Sequence, residues 1–379
     1  MFSSIKLKLP KFNIDWVMIF STIPLLAAGL MTMNSLTGQS YHFNRQLVWL
    51  LLAFLVFFIC AAIDWRFLRR SGFVLMIYLF GVASLFMLFL FGEVTRRTFS
   101  WFALGGVSFQ PAEMVKLFLI IILAKYFTRR HIEISQIKHI ILSGFYAFVP
   151  FVLIFLQPDL GSAMIVFFIW LGLTMVSGIS LKHLLLVFLI GTLAFGGLWL
   201  FVLHDYQKQR IVSFLNPMED IRGSGYNAFQ SMLAVGSGQI FGKGLGFGSQ
   251  SRLKFLPEYQ TDFIFAAFAE EWGFLGVVLV FLLFGIIIWR ILANAKLGTT
   301  NFEMLFGVGL AIMLMSHFII HVGMNIGFLP ITGLPMPFLS YGGSHLLTTF
   351  AGLGILTGMR KYSLAFHRED VNNEFVGPQ

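Results

Sequence analysis

Two carboxylates, Glu258 and Asp262, stand four residues apart in Leu256-Pro257-Glu258-Tyr259-Gln260-Thr261-Asp262-Phe263-Ile264-Phe265, where a long polar stretch gives way to an apolar run. Arg252 and Lys254 precede them. An aspartate or threonine at the head of an apolar segment is the ordinary mark of a helix cap, since its oxygen meets unpaired backbone N–H groups at the positive end of the helix dipole. Two acids and two cations are more charge than one cap requires. Carboxylates held near lipid and near one another titrate closer to neutrality than free ones, which suits a general base. The residues alone leave both readings of Asp262 open, helix cap and proton acceptor.

Four other clusters carry chemistry. Glu113 and Lys116 follow Phe109-Gln110-Pro111 at the head of another apolar run, and their i,i+3 spacing puts them on one helix face. Ionisable groups inside a span are costly and turn toward a polar interior, so the pair is either a mutually neutralising one or a place where the lysine meets an anion such as a diphosphate. Gln157-Pro158-Asp159-Leu160-Gly161 interrupts an apolar region, which implies a cavity wall, with helix capping as the simpler role for Asp159. Gly236, Gly238, Gly242, Gly244, Gly246 and Gly248 surround Lys243. Backbone amides in such a run can cradle phosphate, but the spacing is not that of a P-loop, and a tightly turning loop is the plainer reading. His317 and His321 have an i,i+4 spacing that could bind a metal; no third ligand is evident, which favours packing or a polar network. Prolines and glycines across 333–344 fix a non-helical path.

The elements that position these residues are membrane helices. Of 379 residues, 58% are hydrophobic and 11% charged, and mean hydropathy is +0.84. A soluble domain carries roughly 25% charge. Apolar runs of about 20 residues indicate helices, not the shorter alternating strands of a barrel. The fold class is an all-α polytopic membrane protein with about ten transmembrane helices, at 16–33, 46–63, 73–91, 111–127, 140–156, 162–176, 184–203, 263–291, 302–322 and 345–359. Lys6, Lys8, Lys11, Arg66, Arg69, Arg70, Arg129, Arg130 and Lys138 fall in alternate short loops, which places both termini in the cytoplasm and the long 204–261 loop, between the seventh and eighth spans, outside. Residues 1–366 read as a single membrane domain and 367–379 as a flexible tail. In the 204–261 loop, 226–235 has a helical pattern with Ala228, Met232 and Val235 on one face. The charge of +9 follows from cytoplasmic Lys and Arg, which disfavours a nucleic-acid partner, and the single cysteine, Cys60, excludes an intrachain disulfide.

In this order, Phe109-Gln110-Pro111-Ala112-Glu113, Gln157-Pro158-Asp159-Leu160-Gly161, Gly236-Ser237-Gly238, Phe255-Leu256-Pro257-Glu258 with Thr261-Asp262-Phe263-Ile264-Phe265-Ala266, and Ser340-Tyr341-Gly342-Gly343-Ser344 resemble the SEDS family (shape, elongation, division and sporulation) over nearly the whole chain. The stretches 204–210 and 333–337 look more like its RodA branch than its FtsW branch. The resemblance implies a peptidoglycan glycosyltransferase of the bacterial cytoplasmic (inner) membrane that polymerises lipid II on the extracytoplasmic face. It maps the family's essential loop aspartate onto Asp262. Glu113, Lys116, Asp159, Glu258 and Arg97 are then candidate substrate-binding residues, with Lys116, Arg97 or a divalent cation (Mg or Mn) countering the charge of the leaving diphosphate. Family members carry Arg-Trp before the fourth span. Here Ser100 precedes Trp101, and Arg97 is the nearest arginine. The implied partners are a class B penicillin-binding protein, docking on the eighth and ninth spans, and the elongation machinery. A division enzyme of the FtsW type, a lipid II flippase and a non-enzymatic scaffold are the rival readings.

Overall fold

The protein is described here from a computed structural model, which covers residues 14–35, 40–95, 98–104, 107–130, 136–201, 208, 214, 225–253 and 255–373. Each of the ten expected spans coincides with a helix. The first seven are α1 (Trp16–Ser35), α2 (Ser40–Ala62), α3 (Ser71–Phe91), α4 (Pro111–Arg130), α5 (Ile137–Leu156), α6 (Leu160–Val176) and α7 (Leu181–Phe201). In the outer loop lie α8 (Tyr226–Ser237) and the single turn α9 (Ser249–Arg252). The last three are α10 (Ile264–Lys296), α11 (Asn301–Asn325) and α12 (Gly343–Asn373). α12 thus continues well past the expected boundary at 359 and through the first part of the segment read as a tail; 374–379 lie outside the described residues.

Six of these helices, α1, α2, α3, α5, α10 and α11, are long and apolar enough to cross a membrane, and α6 is a shorter apolar helix. Outward residues such as Leu51, Phe80, Leu90 and Phe145 are large, apolar and exposed, as lipid-facing side chains must be. The interior is built on α4, α11 and α12. α11 packs on α4, α6 and α10; α12 packs on α2 and α4; α1 lies against α10, α3 against α4, and α5 against α6.

Two features depart from the expected helices. The 92–109 loop is a three-stranded antiparallel sheet, β1 (Glu93–Thr95), β2 (Thr98–Leu104) and β3 (Val107–Phe109), in the order β1-β2-β3, with Phe102 opposite Phe109 and Leu104 opposite Val107. The alternation in Thr98-Phe99-Ser100-Trp101-Phe102 and the dipeptide Gly105-Gly106 are the strand and hairpin signals.

The second departure is a break in α10 at Gly273, whose φ 66°, ψ −167° leaves the helix. An unbroken helix would pair the N–H of Phe274 and Leu275 with the carbonyls of Glu270 and Glu271. Instead Phe274 and Leu275 donate to Gln239 and Ile240 carbonyls at 2.8 and 3.1 Å, while Lys243 and Gly244 N–H donate to Glu270 and Glu271 carbonyls at 2.9 and 3.0 Å. The glycine-rich run thus satisfies all four groups freed by the break. The Lys243 and Gly244 amides are spent there, Gly238 and Gly242 donate to the carbonyls of Val235 and Gly238, and Gly246 N–H donates to Glu271 Oε1, so the phosphate-cradle reading of this run has no support from its geometry. A Cβ at Gly242 would lie 2.1 Å from the Glu271 carbonyl oxygen, and one at Gly273 would lie 2.2 Å from Gly242 nitrogen, so the crossing admits glycine alone. Beyond the break, α10 is ~35 Å long, enough for one bilayer crossing.

Candidate functional site

Asp262 is half-buried in the turn before α10. It does not occupy the capping position, which falls to Phe263, a residue with no capping side-chain hydrogen bond. The turn begins at Glu258, whose φ of 48° directs its carbonyl toward the N–H groups of Thr261, Asp262 and Phe263 at 3.1, 3.1 and 3.4 Å. Three further contacts hold the strip from outside. Tyr341 N–H donates to Gln260 carbonyl (2.9 Å), Ser340 Oγ donates to Thr261 carbonyl (2.8 Å), and Asn325 Nδ2 donates to Asp262 carbonyl (3.1 Å). The Asp262 carboxylate faces Gly333, where an added Cβ would sit 3.6 Å from Oδ2.

The 333–344 segment that receives Asp262 is itself pinned. His321 Nδ1 contacts the Leu334 carbonyl (2.7 Å) and His317 Nδ1 the Pro335 carbonyl (3.3 Å). From α2, Gln46 Nε2 donates to Ser340 carbonyl and Gln46 Oε1 accepts from Gly342 N–H. A carbonyl can only accept, so each histidine carries its proton on Nδ1. His317 Nε2 then accepts from the Lys116 ammonium, 3.0 Å away. Lys116 also pairs with Glu113 Oε1 at 2.5 Å, and Glu113 Oε2 accepts from His345 Nδ1 at 2.9 Å. All four side chains are buried. Beneath the segment that meets Asp262 therefore lies a closed network of one anion, one cation and two imidazoles.

The other candidates are distributed around this centre. Asp159 Oδ1 caps α6 through Ser162 N–H (2.9 Å), while Oδ2 accepts from Gln110 Nε2 (2.8 Å). Gln110 N–H in turn donates to Ser344 Oγ (3.0 Å), beside His345, so Asp159 joins the same polar centre from the α5–α6 break. Glu258 has an exposed side chain at the rim. Arg97 and Lys254 lie outside the described residues, as does most of 204–210. Lys116 belongs to the network and presents no surface to solvent, so in this conformation its charge is directed at Glu113 and not outward. Sequence reasoning passed over Gln46, Asn325 and His345. Each is a polar side chain near the end of a membrane helix, as Glu113 and Lys116 are.

Among the described residues, Glu113, His317 and His345 form the group whose ligand atoms, all within 4.8 Å of one another, could hold a metal. His345, not His321, completes it. The Lys116 ammonium already bridges Glu113 and His317. Two imidazoles and one carboxylate also make a poor set for Mg, which takes oxygen ligands and retains water. The donor set does not fit a resident Mg, and with the Lys116 ammonium bridging two of its three ligands the group does not fit a resident Mn either.

Comparison with known proteins identifies the family and the fold. The family described as cell cycle proteins, comprising FtsW, RodA and SpoVE, matches residues 8–364. Peptidoglycan glycosyltransferase MrdB of Escherichia coli K12 is 32% identical over 353 residues, covering 93% of this chain and 95% of the relative. A solved chain described under structural coordination of polymerization and crosslinking by a peptidoglycan synthase complex superposes with TM-score 0.80 at 30% identity, covering 93% of this chain and 98% of the other. The crystal structure of the rod shape determining protein RodA of Thermus thermophilus gives TM-score 0.70 at 30% identity, covering 92% and 98%. A match across almost the whole chain, in sequence and in fold, makes this membrane protein a member of the FtsW/RodA/SpoVE family, the SEDS family that its motifs resemble.

Proposed function

We propose that the chain is a peptidoglycan glycosyltransferase that polymerises lipid II on the extracytoplasmic face of the bacterial cytoplasmic membrane, with Asp262 as general base. A hydroxyl of the acceptor sugar attacks the anomeric carbon of the donor. As that C–O bond forms, the bond from the anomeric carbon to the diphosphate oxygen breaks and polyprenyl diphosphate departs. The hydroxyl proton passes to the Asp262 carboxylate, and the linkage inverts from α to β without a sugar–enzyme intermediate. No step is assigned to a divalent cation.

The observation that carries the reading is the placement of Asp262. The carbonyls of Gln260, Thr261 and Asp262 are held in turn by Tyr341, Ser340 and Asn325, while the Asp262 side chain is half-buried just ahead of α10, whose capping position is Phe263. A base must combine those properties: fixed geometry and access to substrate. The E. coli relative's name supports the substrate class, and the fold shared with a chain of a peptidoglycan synthase complex that coordinates polymerization and crosslinking supports a transpeptidase partner. That partner is proposed to be a class B penicillin-binding protein docking on α10 and α11, as the family resemblance implies. The RodA-like stretch at 333–337 supports a role in elongation and cell shape, and the transpeptidase that co-purifies will tell elongation from division.

The test uses the chain purified with its transpeptidase in detergent, where a flippase would have no two sides to connect. Lipid II should give glycan polymer. Asp262→Ala should abolish it, and Asp262→Asn should do the same, because an amide keeps the shape and cannot take the proton. Undiminished polymer from either variant refutes the assignment.

A further inference from the structure

Asn325 is the last residue of α11 and is wholly buried. Its Nδ2 donates to two carbonyls on separate stretches of chain, Asp262 at 3.1 Å and His321 at 2.8 Å. Ser231, on α8 of the outer loop, is equally buried; its Oγ lies 2.9 Å from the Asn325 carbonyl and 3.1 Å from Asn325 Oδ1. With one proton to give, the hydroxyl serves these two acceptors in alternation or as a shared bond.

We infer that Asn325 and Ser231 are a positioning pair through which the outer-loop helix α8 sets the place of Asp262. The inference rests on the assignment of Asp262 as the base. Two donors and one acceptor in one short planar group are what the position demands. A carboxylate would turn oxygens toward two carbonyl oxygens, and an aliphatic side chain would bury unmet backbone acceptors. The same helix also rests on the Asp262 turn through a small apolar cluster of Ala234, Leu256, Tyr259, Phe263 and Ala266. A shift of α8 is therefore transmitted by a hydrogen-bond chain and by packing, and both lines end within one residue of Asp262. Neither Asn325 nor Ser231 is open to substrate, so their effect on turnover runs through Asp262.

Steady-state polymerisation by the complex with its transpeptidase separates this from a merely structural role. Ser231→Ala removes a single oxygen and is the variant least able to disturb folding; Asn325→Ala and the double variant complete a cycle, with thermal midpoints measured on all three. The expected result is a fall in kcat of about tenfold or more for each single variant, since a displacement of 1 Å can cost 10²-fold. KM for lipid II should stay within about twofold of wild type, because the variants displace the base and leave the substrate contacts in place. The double variant should be no slower than Asn325→Ala, as both act through one contact. A folded Ser231→Ala complex with wild-type kcat, or with an unchanged kcat and a raised KM, overturns the inference. So does a double variant whose loss is the product of the single losses. Asp262→Ala run in parallel tells the two failures apart. If it retains full activity, the base assignment falls first; if it is inactive while Ser231→Ala and Asn325→Ala turn over normally, the positioning pair alone is refuted.

Discussion

Replacing Lys116 by methionine keeps most of the side chain's length and volume and removes its charge. The consequence follows from what surrounds the ammonium. Lys116 has no exposed surface, Glu113 has almost none, and the remaining donor to the Glu113 carboxylate is His345 at 2.9 Å. Breaking a buried pair from one side costs about 3–5 kcal/mol, since the surviving charge is left in a medium that cannot solvate it. At about 2 °C per kcal/mol for a large chain, the midpoint of a detergent thermal melt should fall by about 6–10 °C. Glu113→Gln should fall by a similar amount through the orphaned ammonium. Glu113→Gln with Lys116→Met removes both charges, and its midpoint should lie above that of either single variant. Polymerisation by the double variant then decides what the pair is for. Restored melting with restored activity marks the pair as a brace under the 333–344 segment. Restored melting without activity marks Lys116 as a group that meets the diphosphate in another conformation. Single variants that melt like wild type, or a double variant that loses the sum of the two, would refute the reasoning about burial itself.

Three further outcomes can be checked with the same melts. Gly273→Ala should be among the most damaging substitutions in the chain, combining a backbone conformation that costs a non-glycine residue about 1–3 kcal/mol with a collision against Gly242. Gly236→Ala, in the same glycine-rich run but with open space around it, should be neutral or slightly stabilising, and equal damage at both sites would sink the account of the break. Gly333→Ala meets a φ of 72° and brings a methyl against the Asp262 carboxylate, so it should lower stability by about 1 kcal/mol and lower polymerisation more than that loss explains. At the opposite end of the bundle, burial pushes the Asp15 carboxyl up, but hydrogen bonds from Arg290, Asn294 and the Met18 N–H outweigh it and hold the group below its ordinary value. A lowered folded value means stability that is present above the ordinary aspartate range and is lost as pH falls through the folded value. The gap in midpoint between wild type and Asp15→Asn should therefore be full at about pH 7 and close below about pH 4; a gap that widens in acid would reverse the sign and refute the linkage.

The membrane helices were legible because their signal is compositional: twenty apolar residues cannot be anything else in water or in lipid. The order of the helices was readable for the same reason, and the helical periodicity of 226–235 pointed to α8, although its buried residues are Ser231 and Ala234. The break at Gly273 was not legible. Trp272-Gly273-Phe274 sits in the middle of an apolar run, and glycine is common in membrane helices. What marks this glycine is its partner, a second glycine some thirty positions away whose amide must approach it, and no local pattern records that. The glycine-rich run showed the reverse problem. Its composition suggested a loop that might hold a ligand, whereas its amides complete the backbone of another helix. The polar centre was read in part. Glu113 and Lys116 announced themselves as charges in a span, but His345 and Asn325 are uncharged by type or singly placed, and their distant partners come from α4, from α8 and from the turn before α10.

The described acids around the site differ in burial and in the contacts the fold takes from them, and Asp262 is set apart by how its turn is held. Glu113 is neutralised by Lys116 and His345. Asp159 has one oxygen on an α6 amide and the other on Gln110. Glu270 takes Lys243, Ser249 and the Gln250 N–H, and Glu271 takes Ser35 and the Gly246 N–H, both beneath the glycine-rich run. Each of these carboxylates is buried or spent on a contact the fold depends on, and protonating one during every turnover would loosen that contact. Glu258 is exposed, and its role in the turn is played by its backbone. Asp262 alone among these acids joins partial exposure to a backbone held from α11 and from the 333–344 segment. A general base must gain and lose a proton without disturbing its own support. Here the support is made through the carbonyls of 260–262, which do not titrate.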